Sequence, residues 1–158
     1  MSETQRLRVL LVDDHILFRS GVKTELSFYP HIEVVGEAGN GSEAIAQTRE
    51  TMPDVILMDI SMPGCSGLEA MARIKREMPH VRIIILTVHD DDEHLFEAIK
   101  RGADGYLLKN LEPSELLDAL DRVHHGEAAI NARMAARILG EFRKPKPHDE
   151  SIPTAEEA

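Results

Sequence analysis

Val55-Ile56-Leu57-Met58-Asp59-Ile60-Ser61-Met62-Pro63-Gly64 is an apolar run that stops at a carboxylate and then turns at a proline and a glycine. The run reads as a buried strand, and Pro63-Gly64 ends it. A carboxylate at the end of such a strand is expensive unless something uses it. Val9-Leu10-Leu11-Val12 is a second run of the same kind and also stops at acid, Asp13 and Asp14. If the two strands lie side by side, these carboxylates crowd one edge of a sheet.

Working outward, β-branched or aliphatic runs recur at residues 8–12, 32–36, 55–58, 81–87 and 105–108. They alternate with helical patterns at roughly 15–28, 42–51, 67–77, 91–101 and 113–124. Five β–α units predict an α/β fold, a doubly wound five-stranded parallel sheet covered on both faces. Right-handed crossovers bring the carboxyl ends of the strands to one edge, where such sheets build their sites. Asp13, Asp14, Asp59, Thr87 and Lys109 all fall there. Helix starts support the same parse: Ser66-Gly67-Leu68-Glu69 is a capping box, Pro113 suits a first turn, and Asp90 to Glu93 place acid at a positive helix end. A further segment, residues 131–142, repeats Met134, Ala135, Ile138, Leu139 and Phe142 at helical spacing. It is expected to be an extra C-terminal helix, packed on the body or on a partner.

The chain has 158 residues, 42% hydrophobic and 29% charged, enough for one ordinary core with a short appendage. Its net charge of −10 has the wrong sign for unaided attraction to nucleic-acid phosphates, so any DNA contact must be local or lie outside this chain. The single cysteine, Cys65, excludes an internal disulfide and a thiolate metal cluster, as suits a reducing cytoplasm. No apolar stretch has the length to span a bilayer and no signal-peptide core follows Met1, so the expectation is a cytoplasmic protein with no membrane contact.

Carboxylates about 4 to 6 Å apart repel by several kcal/mol at an effective dielectric near 20, so the acidic cluster needs protons or a cation. All-oxygen ligation with few protein ligands favours Mg²⁺. The plainer reading, helix caps or solvated turn residues, would serve for one aspartate after a strand. It does not account for three with Lys109 ending another strand. Gly39-Asn40-Gly41-Ser42 lacks the third glycine of a dinucleotide loop and reads as a strand–helix turn. Histidines at 31, 80, 94 and 148 show no metal-ligand spacing, and His124-His125 suits a helix carboxyl end. Leu116, Leu117, Leu120 and Val123 form a core face first and a candidate dimer surface second.

Leu11-Val12-Asp13-Asp14-His15, Leu57 to Gly64, Ile85-Leu86-Thr87 and Gly105-Tyr106-Leu107-Leu108-Lys109 together resemble the receiver domains of two-component response regulators, which have a flavodoxin-like fold. The resemblance covers nearly everything from Arg6 to Gly126. His15-Ile16-Leu17-Phe18-Arg19, Gly67-Leu68-Glu69-Ala70 and Gly102-Ala103-Asp104-Gly105-Tyr106 are similar to the NarL/FixJ subfamily. The resemblance implies that Asp59 is the phosphoacceptor for a sensor histidine kinase. It implies that Asp13, Asp14, Asp59 and the backbone carbonyl of Ser61 hold Mg²⁺, and that Lys109 and Thr87 meet the phosphoryl group. Tyr106 would follow Thr87 from an exposed to a buried rotamer. Such a protein is a signalling switch rather than an enzyme, and phosphorylation would promote a homodimer. Ser61 and His89 stand where relatives tune loss of the phosphoryl group.

Two features depart from that pattern. Asn110 stands where many receivers have a proline, which makes a cis Lys109–Asn110 peptide costly and leaves the following loop open. Cys65-Ser66 replaces a more usual Met-Asp pair, which reads as loop variation, with modification of a thiol near the phosphorylation loop as the alternative.

The organisation expected is a receiver domain over residues 6–126, an additional helix over 127–142, and a linker over 143–158 that opens a truncated DNA-binding domain. Alternating prolines in Lys144-Pro145-Lys146-Pro147 read as an extended spacer. Thr154-Ala155-Glu156-Glu157 is a second capping box, similar to the opening of LuxR-type helix-turn-helix domains, although Pro153 stands where leucine is usual. The leading expectation is therefore a phosphorylation-controlled transcriptional regulator. The alternative is a stand-alone receiver acting by protein–protein contact or phosphorelay. An aspartyl-nucleophile phosphatase needs a second aspartate two residues after the first, where this chain has Ser61.

Overall fold

Among the described residues five strands alternate with five helices and a sixth helix follows: β1 (Leu7–Val12), α1 (Ile16–Leu26), β2 (Ile32–Ala38), α2 (Gly41–Thr51), β3 (Val55–Met58), α3 (Gly67–Glu77), β4 (Arg82–Thr87), α4 (Asp92–Lys100), β5 (Gly105–Leu108), α5 (Pro113–His124) and α6 (Ala132–Arg143). This computed structural model describes residues 5–64 and 66–143. Cys65, nearly all of the expected linker and the capping box at 154–157 lie outside the described residues.

All strands are parallel, in the order β2-β1-β3-β4-β5. The chain leaves β1 to one side for β2 and returns to the other side for β3, so the strand order reverses between β1 and β3. A doubly wound sheet opens its crevice at such a reversal. Val12 pairs with Met58 at the top of these two strands, and the next residues are Asp13 and Asp59. The amide of Asp59 donates to Val12 O at 3.0 Å and that of Asp13 to Ala38 O at 3.0 Å, so each carboxylate is anchored by the last rung of its ladder.

Side chains alternate across the sheet with a period of two and build two apolar layers. Leu10, Val12, Ile56, Met58, Ile83 and Ile85 face Ala44, Met71, Ile74 and Leu95 of α2, α3 and α4. Val9, Leu11, Val55, Leu57 and Ile84 face Leu26 of α1 and Leu116, Leu120 and Val123 of α5. Every residue of β3 is buried, as an aliphatic run in a two-sided sheet requires.

The helix starts follow their sequence signals. Ser66 Oγ accepts the Glu69 amide at 3.2 Å while Glu69 Oε1 accepts the Ser66 amide at 3.1 Å. Asp91 caps α4, with Asp92 and Glu93 in its first turn, and Pro113 opens α5. His125 Nδ1 lies 2.8 Å from Asp121 O, within the carboxyl-terminal turn of α5.

Some element ends differ from the sequence reading. β2 runs on past Gly36 to Ala38 because the register shifts opposite Val9 and Leu10 and absorbs one residue. α1 stops at Leu26, and the Tyr29 amide turns back to Leu26 O at 3.1 Å. No peptide among the described residues is cis, Lys109–Asn110 included. The extra helix α6 packs on the body beside α4, with Met134 buried in the core and Arg137 Nε 2.6 Å from Asp92 Oδ1. Ala129 covers the open edge of β5, accepting the Tyr106 amide at 2.9 Å and donating to Asp104 O at 3.0 Å. Among the described residues no helix is long and apolar enough to cross a membrane.

Candidate functional site

Asp13 and Asp59 are both buried at the carboxyl edge of the sheet, 5% and 3% exposed. Lys109 leaves the end of β5 with its amide on Thr87 O at 2.8 Å. Its Nζ reaches 2.7 Å from Asp13 Oδ2 and 3.3 Å from Asp59 Oδ2. The Phe18 ring of α1 lies 4.6 Å from the same ammonium, adding a cation–π contact. One cation is thus shared between two buried anions.

Asp14 is more exposed and joins through His15, whose Nδ1 stands 3.1 Å from Asp13 Oδ1 and 3.5 Å from Asp14 Oδ1. Arg19 fixes the backbone beneath them, donating from Nη1 to Asp13 O at 2.5 Å and to Ala38 O at 3.2 Å. Glu37 Oε1 holds that guanidinium at 2.9 Å from Nε. Asp13, Asp14, His15 and Asp59 each offer a ligand atom, all within 4.8 Å of one another. Buried carboxylates in excess of their single ammonium, with hard oxygen donors, fit a small divalent cation.

Burial raises the Asp59 carboxyl above its ordinary range; the Lys109 charge pulls it down and Asp13 pushes it up again. A carboxyl raised on folding binds its proton more readily in the folded state, so its contribution to stability falls as pH rises from the unfolded value through the folded one. In chelator, Asp59→Asn is therefore expected to melt above the parent chain at pH 7, with the gap narrowing as pH falls toward the unfolded value. Melting curves across that range check it; a gap independent of pH would refute it.

Gly67, the first residue of α3, lies against the backbone of Asp59. Its amide donates to Ile60 O at 2.9 Å, and a Cβ there would stand 2.0 Å from Asp59 O. The loop after the acid is pressed onto the next helix with no room for a side chain.

Thr87 and Tyr106 meet through His89. Thr87 is fully buried and its Oγ1 accepts the His89 amide at 3.3 Å. Tyr106 is also buried, and its hydroxyl donates to His89 O at 2.7 Å. Burial, then the charges of Asp91 and Asp90, raise its phenol above the usual range. The structure holds the inward rotamer of Tyr106. Ser61 Oγ lies 2.6 Å from His89 Nε2, tying the loop after β3 to the loop after β4.

Asp13, Asp14, Asp59, Ser61, Thr87, Tyr106 and Lys109 thus gather at one end of the sheet. Sequence reasoning missed the contribution of His15 and the Arg19 brace. It also treated His94 as scattered, whereas His89, Asp91 and His94 come together on the β4–α4 loop, ligand atoms within 4.8 Å of one another. The spacing His-x-Asp-x-x-His was the available signal. Nothing in the sequence marks Arg137 as a partner of Asp90 and Asp92.

The parallel sheet thus carries an acidic, lysine-bridged cluster at the point where its strand order reverses. The family model for the response regulator receiver domain matches residues 9–121. The chain is 44% identical over 149 residues to the uncharacterized transcriptional regulatory protein YxjL of Bacillus subtilis, covering 93% of this chain and 68% of that protein. It is 40% identical over 143 residues to the nitrate/nitrite response regulator protein NarL of Escherichia coli, covering 90% and 66%. The chain thus spans about two thirds of the length of these relatives. Among solved structures, the receiver domain of the putative response regulator NarL from Mycobacterium tuberculosis superposes with a TM-score of 0.75 at 34% identity, covering 78% of this chain and 99% of that one. A LuxR-family two-component response regulator from Aurantimonas superposes at 0.80 and 33%, covering 89% and 100%. The protein belongs to the response regulator receiver family and is of the NarL/FixJ type.

Proposed function

We propose that Asp59 accepts the phosphoryl group and that the rest of the edge serves that transfer. The observation that carries this reading is the shared ammonium of Lys109 between buried Asp13 and Asp59, set at the reversal of strand order. An Asp59 carboxylate oxygen attacks phosphorus in a phosphohistidine of a sensor kinase. The P–O bond forms as the P–N bond breaks, and the imidazole leaves with the electron pair. Asp13, Asp14, Asp59 and the Ser61 carbonyl would hold Mg²⁺, which when bound supplies positive charge to the phosphoryl oxygens. Lys109 turns from the two carboxylates to a phosphoryl oxygen, and Thr87 donates its hydroxyl to another.

Because Thr87 and Tyr106 both hold His89, movement at the phosphoryl group passes to the β4–α4 loop. The inward Tyr106 is the arrangement this switch would favour, one state of an equilibrium biased by new charge-assisted bonds. We assign residues 6–126 to the receiver, 127–142 to an added helix and 143–158 to a linker leading into a DNA-binding domain. Similarity to a transcriptional regulatory protein supports a role in transcription; control of DNA binding by phosphorylation-dependent homodimers in the cytoplasm belongs to the same proposal.

Mg²⁺ is expected to raise the melting temperature, since it binds the folded edge and relieves its excess charge. A hundredfold excess over Kd gives about 2.7 kcal/mol, on the order of 5 to 10 °C for a chain of this size. Asp14→Ala is expected to remove the rise. Equal stabilisation in that variant would place the ion elsewhere.

A further inference from the structure

We propose that His89, Asp91 and His94 form a second metal site, for a transition-metal ion of the Zn²⁺ class, on the loop between β4 and α4. Their ligand atoms lie within 4.8 Å of one another. The His89 and His94 rings stack at 4.1 Å between centroids with an interplanar angle of 11°. Both carboxylate oxygens of Asp91 stand 2.8 Å from His94 Nδ1. A tetrahedral ion with ligands about 2.0–2.1 Å away spaces them about 3.3 Å apart, and because a metal lies in the plane of each imidazole that binds it, one of the two stacked rings turns about its side-chain bonds to bring both to the same ion.

Each ligand is already held in place. Asp91 is the cap of α4, its carboxylate fixed by the His94 amide at 3.0 Å. Ser61 Oγ lies 2.6 Å from His89 Nε2; an ion taken on Nδ1 would keep that contact as the outer hydrogen bond that metal-bound imidazoles usually make. Three protein ligands leave a position for water, as in open zinc sites.

The two clusters differ in chemistry. Asp13, Asp14 and Asp59 present mainly carboxylate oxygen and suit a hard ion, whereas two imidazoles and one carboxylate select a borderline metal. An ion at the second site joins His89 to the first turn of α4. His89 O also accepts the Tyr106 hydroxyl, so the ion would stiffen the Tyr106-inward loop. That consequence rests on the switch reading above; the binding itself does not.

Calorimetric titration of the tag-free 158-residue chain with ZnCl₂, in excess MgCl₂ to fill the acidic cluster, tests the site. One equivalent is expected to bind. His89→Gln and His94→Gln are each expected to weaken it at least about tenfold, while Asp14→Ala binds as the parent does. Undiminished binding in His94→Gln, or its loss in Asp14→Ala, overturns the proposal, the latter because the ion would then sit with His15. Absence of binding to the parent chain overturns it too. The Mg²⁺-dependent melting shift of His94→Gln serves as the folding control and is read separately, so loss of the zinc site does not bear on the phosphoacceptor.

Discussion

Asp59→Asn is expected to take up no phosphoryl group from a small phosphodonor and Mg²⁺, where the parent chain takes up one that base removes. Asparagine has nearly the volume of aspartate, so it fits the same buried position without displacing the chain around it. What is lost is the anionic oxygen that attacks phosphorus, and an amide does not replace it. Asp13 and Asp14 remain, yet neither is placed as Asp59 is. Asp13 is held by Lys109 at 2.7 Å and by the His15 amide at 2.8 Å, and Asp14 is more exposed, beside His15. Intact-mass spectrometry before and after base treatment reads the outcome. Equal labelling of the variant would remove Asp59 from its assigned role, whatever the fold.

Gly67→Ala carries the second large effect, this time on stability. The added methyl would meet Asp59 O at 2.0 Å and Ile60 Cα at 2.9 Å, both backbone atoms that cannot rotate away. Relief requires lifting α3 from the loop, which also breaks the Gly67 amide bond to Ile60 O. Overpacking of this kind costs about 1–3 kcal/mol, occasionally more, and contact with backbone places this position at the upper end. The same displacement moves Asp59, so phosphorylation is expected to fall in whatever fraction folds. Gly140→Ala is a matched control, because nothing stands within 4 Å of a Cβ there. Equal denaturant midpoints for the two variants would show that the close approach is not needed.

The alternation of strands and helices was legible because buried parallel strands are nearly all aliphatic, and Val55 to Met58 could be little else. The acidic edge followed, since right-handed crossovers leave no other place for Asp13, Asp59 and Lys109. Boundaries that depend on pairing were not legible. The register shift opposite Val9 and Leu10 that lets β2 reach Ala38 is a property of two strands together. The grouping of His89 with His94 was hidden for a similar reason. A loop residue and a helix residue five positions apart come into stacking only once the Asp91 cap has set the angle at which α4 begins.

α6 is joined to the rest of the chain by two forces of different character. Met134 and Ile138 bind it through apolar burial. Arg137 binds it through Asp90 O at 2.7 Å and Asp92 Oδ1 at 2.6 Å, at the mouth of the β4–α4 loop, with its side chain 23% exposed. Dissolved salt acts on these forces oppositely, since screening over a Debye length of about 8 Å at physiological ionic strength weakens exposed charge pairs while strongly hydrated salts favour burial. The two attachments of α6 therefore part company as the ionic medium changes: its grip on the loop slackens as salt is added, while its apolar seat is not loosened with it.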